Sequence, residues 1–335
     1  MPLINLEDMC LYPKFIENAK YKANKKNKGI IPKCNDERLK KVPIACGKCK
    51  ECCKAKSREW RIRLTEEMKT EKHAKFVTLT FSNEELIKLC KEKNTTESNA
   101  IAKIAVKRFL ERHRKKYKKS IKHWLITELG HENTERIHLH GILFKDIEVE
   151  ELTELWKYGF VHIGKYCNSK TINYIIKYAT KIDNQHKGYT PIILTSPGIG
   201  KGYIQTTTVK RNYFNDEIGQ TKESYRLPNG HEVALPIYYR NKIYNEEMRE
   251  ALWLQKLDKG IAYLNGQEFD VKTEEGLKKL GEEMIWARRI NEQLGFGNDS
   301  KEWKKKEYNI TYAMLRRKTK ENAEKERVEK LYKNG

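Results

Sequence analysis

Long hydrophobic runs are missing from this 335-residue chain. No stretch comes near the roughly 18 apolar residues that a bilayer crossing demands, so no membrane role is expected. The opening "MPLINLEDMCLYPKF" lacks a basic segment leading into an apolar one, which leaves no secretory signal and points to an intracellular protein. No repeat of fixed period is present. A phosphate loop is lacking too: in "SPGIGKGY" Lys201 is followed by Gly202 where Ser or Thr is required, and Thr195 stands where the leading Gly should be.

Acidic residues are the next shortage. The chain has 46 Asp+Glu against 68 Lys+Arg, a formal charge of +22 at pH 7. Such a field draws in polyanions, and nucleic acid is the leading partner. With 38% hydrophobic residues, the chain can bury one large core or two modest ones.

Residues 1–56 show little periodicity and read as a Cys/Lys-rich segment of loops with short elements. A helix is expected from Ser57 through "SREWRIRLTEEMKTEK", then a strand over Lys75–Phe81 and a short helix from Asn83. Between Lys103 and Lys122 a helical stripe of Ile104, Ala105 and Phe109 is surrounded by basic residues. "IKHWLITEL" and "RIHLHGILF" read as two strands joined by the turn "GHENTE", a β-hairpin. "EVEELTELW" reads as a helix, "GFVHIGKY" as a strand, and "SKTINYIIKYATKI" as a helix with Ser169 as N-cap. "GYIQTTTV" and "EVALPIYY" look strand-like. Beyond Tyr244 the chain turns helical and charged, ending in "RRKTKENAEKERVEKLYKNG", a solvated helix or tail. The division expected is 1–56, a catalytic domain over 57–244, and a helical C-terminal region over 245–335.

In "RIHLHGILF" the side chains of His138 and His140 share one face of the strand while Ile137 and Leu139 take the other. A lone His-X-His more often marks two hydrogen-bonded core histidines, yet a shared metal ion also removes the cost of burying them. Glu128 joins them if the hairpin register sets it opposite His138; a one-residue slip sends it to the other face. Two imidazoles and a carboxylate suit Mn²⁺, Zn²⁺ or, less comfortably, Mg²⁺. In "YIIKYATK" Tyr174 and Tyr178 stand one helical turn apart, with Lys177 and Lys181 close by. An aromatic core pair has that spacing, and so does a pair of tyrosine nucleophiles.

"FVTLTF", "HLHG" and "YIIKY", in that order, resemble the three motifs of the HUH endonuclease superfamily, in its two-tyrosine rolling-circle branch. "CLYP", "VPIACGKCKECCKAKSREWRIRL", "SPGIGKGY" and "LPIYYRNK" extend the likeness to the replication initiators of the microviruses, gokushovirus-like branch, over most of residues 10–244. Ile137 and "ELG" depart from the Pro and Glu-Tyr-Gly often found in that family.

The resemblance implies an α+β HUH endonuclease fold, a central antiparallel β-sheet carrying the histidine strand and flanked by helices, with a helical C-terminal accessory region. It implies that Glu128, His138 and His140 hold a divalent metal, Mg or Mn, while Tyr174 or Tyr178 attacks the scissile phosphate, with Lys177 as a candidate aid. The implied function is site-specific nicking and rejoining of ssDNA at a phage origin in a host bacterial cytoplasm, with host helicase and polymerase as partners. A plasmid initiator or transposase, or a non-catalytic basic ssDNA-binding protein, are the rival readings. Trp60, Trp124, Tyr203, Tyr238 and Tyr239 are candidates for stacking on unpaired bases. Cys46, Cys49 and Cys52, with Cys34 or Cys53, could close a structural Zn²⁺ site, but the spacing has no downstream Cys or His pair, and reduced cysteines near a helix start would look the same.

Overall fold

A computed structural model describes residues 10–131, 135–183, 185–186, 189–217 and 219–298. The elements in chain order are β1 (Lys14–Glu17), β2 (Lys41–Ile44), α1 (Lys50–Thr70), β3 (Ala74–Leu79), α2 (Asn83–Lys93), α3 (Ser98–Tyr117), β4 (His123–Leu129), β5 (Ile137–Phe144), α4 (Val149–Trp156), β6 (Val161–Ile163) and α5 (Ser169–Thr180). There follow β7 (Ile193–Thr195), β8 (Ser224–Arg226), β9 (Glu232–Ala234), α6 (Ile237–Ile243), α7 (Glu246–Lys259), β10 (Ile261–Leu264), β11 (Gln267–Asp270) and α8 (Glu274–Gln293). The described residues form two compact units, one over 68–199 and one over 10–67 with 200–298. Among the described residues no helix is long and apolar enough to cross a membrane.

In the first unit, alternation of side chains decides everything that follows. The sheet runs β6-β3-β5-β4-β7, every neighbour antiparallel, with the histidine strand β5 at its centre. Val77, Leu79, Leu125, Leu129, Ile137, Leu139 and Leu143 pack in one cluster with Ile101, Ala105 and Phe109 of α3 and Leu152, Leu155 and Trp156 of α4. The intervening residues Phe76, Thr78, Ile126, Glu128, His138 and His140 therefore turn to the opposite face, where α5 lies with Tyr174 against Phe76 and Tyr178 against His140. Gly141 follows the second histidine for a steric reason: a Cβ there would stand 2.1 Å from the backbone oxygen of Trp124.

The basic helix α3 lies on the sheet face away from the histidines, and two of its arginines are committed to structure. Arg112 donates to the backbone oxygens of Leu155 and Trp156 at 2.6 and 2.7 Å, and Arg108 pairs with Glu92. At α5 the cap is Asn168, not Ser169. Its side chain accepts from Lys170 and Thr171 N–H while the Thr171 hydroxyl returns to the Asn168 N–H, a capping box.

In the second unit, α1 starts at Lys50 instead of Ser57, because the Asn291 side chain accepts the Lys50 N–H at 2.7 Å and Lys-Glu-Ala composition favours helix. "GYIQTTTV" forms two 3-10 turns, Lys201–Gln205 and Thr207–Asn212, rather than a strand. There the Thr206 hydroxyl folds back onto the Tyr203 oxygen at 2.8 Å and Tyr203 buries its ring. In "EVALPIYY" Pro236 ends β9 and opens α6. The C-terminal region is helical in α7 and α8, with the hairpin β10–β11 set between them. That hairpin turns on Asn265-Gly266, both at positive φ. The closing "RRKTKENAEKERVEKLYKNG" lies outside the described residues.

Candidate metal centre and tyrosine pair

Register brings the carboxylate to the histidines. β4 pairs with β5 so that Glu128 faces His138 and Ile126 faces His140. Glu128 Oε2 consequently sits 3.2 Å from His138 Nε2 and 3.0 Å from His140 Nε2, and the two imidazoles meet edge to face at 4.8 Å. Their other ring nitrogens are engaged: His138 Nδ1 with the Arg136 backbone oxygen at 3.2 Å, His140 Nδ1 with Thr78 Oγ1 at 3.0 Å. With the proton on Nδ1, both Nε2 lone pairs would be directed to one point to receive an ion, the arrangement by which outer hydrogen bonds orient histidine ligands; with a proton on Nε2, the same atoms donate to Glu128. Burial works against the charge on Glu128, but hydrogen bonds from His138, His140 and Lys181 outweigh it and hold the carboxyl well below its ordinary range. Glu128, His138 and His140 thus form a donor set fit for a divalent ion.

The tyrosines lie directly over this set. Tyr178 stacks on His140, ring centroids 5.0 Å apart and planes 13° from parallel, and its hydroxyl donates to that of Tyr174 at 2.5 Å. Tyr174 is half-exposed. Burial first, then the Tyr174 hydroxyl and the Glu128 charge, push the Tyr178 phenol above its ordinary pKa.

The lysine at the carboxylate is Lys181, whose Nζ lies 3.1 Å from Glu128 Oε1. Lys177 is exposed on α5, and its ammonium makes no ion pair among the described residues.

A second group escaped the sequence reading. His131, Asp183 and His186 present ligand atoms within 4.8 Å of one another, with His186 Nδ1 2.6 Å from Asp183 Oδ2 and His131 Nε2 3.4 Å from Lys181 Nζ. Burial disfavours the Asp183 carboxylate, yet the His186 side chain and backbone bond to it and lower its pKa. The only signal was the D-x-x-H spacing just past α5, too short to separate from a turn.

Three expected base-stacking aromatics are core residues: Trp124, Tyr203 and Tyr239 are fully enclosed, as large apolar rings usually are. Trp60 and Tyr238 instead flank the Arg63 guanidinium at 4.1 and 4.2 Å. The fourth cysteine beside Cys46, Cys49 and Cys52 is Cys10, not Cys34 or Cys53. Cys34 Sγ donates to the Asp36 oxygen and Cys53 Sγ to the Lys48 oxygen, so both point elsewhere.

Residues 74–183 match the family model of the replication-associated protein ORF2/G2P. No curated protein and no solved structure matches the chain. The matched segment runs from β3 past α5, so the part of the chain that is similar to replication-associated proteins carries the sheet centre, the Glu-His-His set and the tyrosine pair.

Proposed function

From the premise of a rolling-circle replication initiator, we propose that this protein cuts one DNA strand by transesterification onto tyrosine, with Glu128, His138 and His140 holding a divalent ion. One observation carries the reading: two phenolic hydroxyls meet at 2.5 Å, and the ring of one rests on a histidine of the donor set. A phosphate seated at that point is within reach of either tyrosine. A bound Mg²⁺ or Mn²⁺ would supply Lewis-acid polarisation of a phosphate oxygen.

The chain's own residues do the rest. The phenolic oxygen of Tyr178 or Tyr174 forms a bond to phosphorus, the bond from phosphorus to the 3′-oxygen breaks, and the phenolic proton is balanced by the one gained at the new 3′-OH. The phosphodiester is conserved as a 5′-phosphotyrosine, so joining by the reverse step needs no nucleotide. His140 orients Tyr178 through the stack, while Thr78 and the Arg136 carbonyl fix the imidazoles. Lys181 lies where it balances charge at Glu128, and the exposed Lys177 is placed for a DNA phosphate.

The resemblance to microvirus initiators sets the finer reading. The substrate is the origin of a small circular phage genome in a host bacterial cytoplasm, host helicase opens the duplex, and host polymerase extends the 3′-OH. The second tyrosine then attacks the regenerated origin and releases a circle.

Covalent trapping tests this. Protein is incubated with cognate circular ssDNA, with and without Mn²⁺ or Mg²⁺, and resolved on denaturing gels. A metal-dependent adduct that disappears in His138→Ala and in the Tyr174→Phe/Tyr178→Phe double variant is expected. Tight, salt-sensitive DNA binding with no adduct under either metal would favour the non-catalytic binding protein.

A further inference from the structure

Four thiols converge in the unit built from residues 10–67 and 200–298. Cys10 precedes β1, Cys46 follows β2, Cys49 immediately precedes α1, and Cys52 lies in its first turn. All four Sγ atoms lie within 4.8 Å of one another, and those of Cys46 and Cys52 are 3.8 Å apart.

That spacing discriminates between chemistries. A disulfide needs sulfurs about 2.05 Å apart. Thiolates at about 2.3 Å from a central ion, arranged as a tetrahedron, have edges of about 3.8 Å. An iron–sulfur cluster divides its cysteines among several irons and spreads them wider than one ion does. We propose that Cys10, Cys46, Cys49 and Cys52 hold one structural zinc ion.

The surroundings suit thiolates. Backbone N–H groups point at three of the sulfurs: Cys46 N–H at Cys10 Sγ (3.1 Å), Cys49 N–H at Cys46 Sγ (3.3 Å) and Cys52 N–H at Cys49 Sγ (3.5 Å). Such donors favour the ionised sulfur, and the N-terminus of α1 adds its partial positive charge. Gly47, at φ +71, makes the left-handed turn that aims Cys46 and Cys49 at one point. Leu264, Phe269, Leu280 and Ala287 close the cluster on its apolar side. Four protein ligands leave no open position, which is the mark of a structural site rather than a catalytic one.

The segment the ion would fasten is held by the β1–β2 pairing and by polar ties such as Lys20–Glu250 and Arg38–Asp258, but it has little core of its own. Between Pro13 and Lys48 only Leu39 is buried, while Cys10, Leu11, Tyr12 and Cys49 at its two ends are all enclosed. A stretch so poor in core needs a staple, and a metal bound only by the folded chain provides one.

The inference stands apart from the nicking reading, and its test reads metal instead of activity. Full-length protein is exchanged into metal-free buffer and analysed for elements, and a Glu128→Ala/His138→Ala/His140→Ala variant is treated alike. One zinc per chain is expected in both, released as a mercurial titrates four thiols. Cobalt-reconstituted protein should show the visible bands of a tetrahedral tetrathiolate. Cys10→Ser should lose the zinc, while Cys34→Ser and Cys53→Ser keep it. If Cys10→Ser does not fold, the cobalt spectrum of the unaltered protein still decides. Protein that holds no zinc or holds iron in its place, zinc that leaves in the Glu-His-His variant, or a cobalt spectrum with fewer than four thiolates would each overturn the proposal.

Discussion

The ring of Tyr178 lies against that of His140, nearly parallel at 5.0 Å between centroids. A nucleophile candidate and a metal-ligand candidate therefore share one contact, so whatever fixes His140 also fixes the phenol. The half-exposed Tyr174 meets His140 and Phe76 edge-on, at 6.5 and 6.0 Å between centroids, and joins Tyr178 through its hydroxyl. The two tyrosines are thus unequal in the resting protein, one stacked face to face on the donor set and the other edge-on and more exposed.

Unequal anchoring predicts unequal variants. Tyr178→Phe should reduce first-strand cleavage on the order of 10²-fold or more, the scale of losing a nucleophile, because Phe keeps the stack and removes only the oxygen. Tyr174→Phe should leave first cleavage within about tenfold and block release of the closed circle. Single-turnover cleavage and circle yield separate the two effects. Equal loss of first cleavage in both variants would contradict the assignment.

Thr78 touches no substrate in this scheme, yet its hydroxyl sits 3.0 Å from His140 Nδ1. Thr78→Val keeps the shape and deletes the hydrogen bond, so the imidazole loses its tautomer and orientation. Affinity for Mn²⁺ should fall by about 10- to 100-fold, the usual cost of removing such an outer partner. Metal titration by calorimetry without DNA measures it, and an unchanged affinity would mean that His140 does not ligate.

The first unit was largely legible in the sequence because its signals are local. Alternation in "RIHLHGILF" and "WLITELG" gives the faces of β5 and β4, and a hairpin joining them leaves few registers, one of which sets Glu128 beside His138. What was illegible depended on distance or on competition between neighbours. Cys10 is remote from Cys46, and nothing in its surroundings marks it as a partner. Asn168 and Ser169 are both good caps, and only the reciprocal bond from Thr171 selects the first. The 3-10 turns of "GYIQTTTV" form because burial of Tyr203 and hydroxyl back-bonding override β propensity. Asn265-Gly266, by contrast, was a readable hairpin turn hidden inside a charged, helix-rich stretch.

Gly141 links sequence to site through sterics alone. A methyl group there would stand 2.1 Å from the Trp124 oxygen and 2.8 Å from Leu125 Cα, both backbone atoms that cannot swing aside. Gly141→Ala should push β4 and β5 apart one residue from His140. Destabilisation of about 1–3 kcal/mol, the range for overpacking, is expected in urea unfolding, together with weaker Mn²⁺ binding. Unaltered stability would show that the strands separate without cost.

Two histidines away from the candidate metal centre give the first unit a pH dependence. His113 and His123 are buried, and burial lowers the pKa of each below the ordinary 6.5, more than their hydrogen bonds to the backbone oxygens of Lys119 and Ile121 raise it. The folded unit therefore holds these groups neutral, while the unfolded chain takes up protons at the ordinary value. Acidification then favours the unfolded state: stability is fully present above pH 6.5 and declines as pH falls from there toward the folded pKa values, by up to about 1.4 kcal/mol per pH unit for each histidine. Glu128 and Asp183 act in the same direction at lower pH, since their lowered pKa values withdraw stability only as pH falls below the ordinary carboxyl range. Urea unfolding between pH 7 and 5 should thus show a slope that His113→Asn/His123→Asn flattens. A slope unchanged in that double variant would assign the loss to other groups.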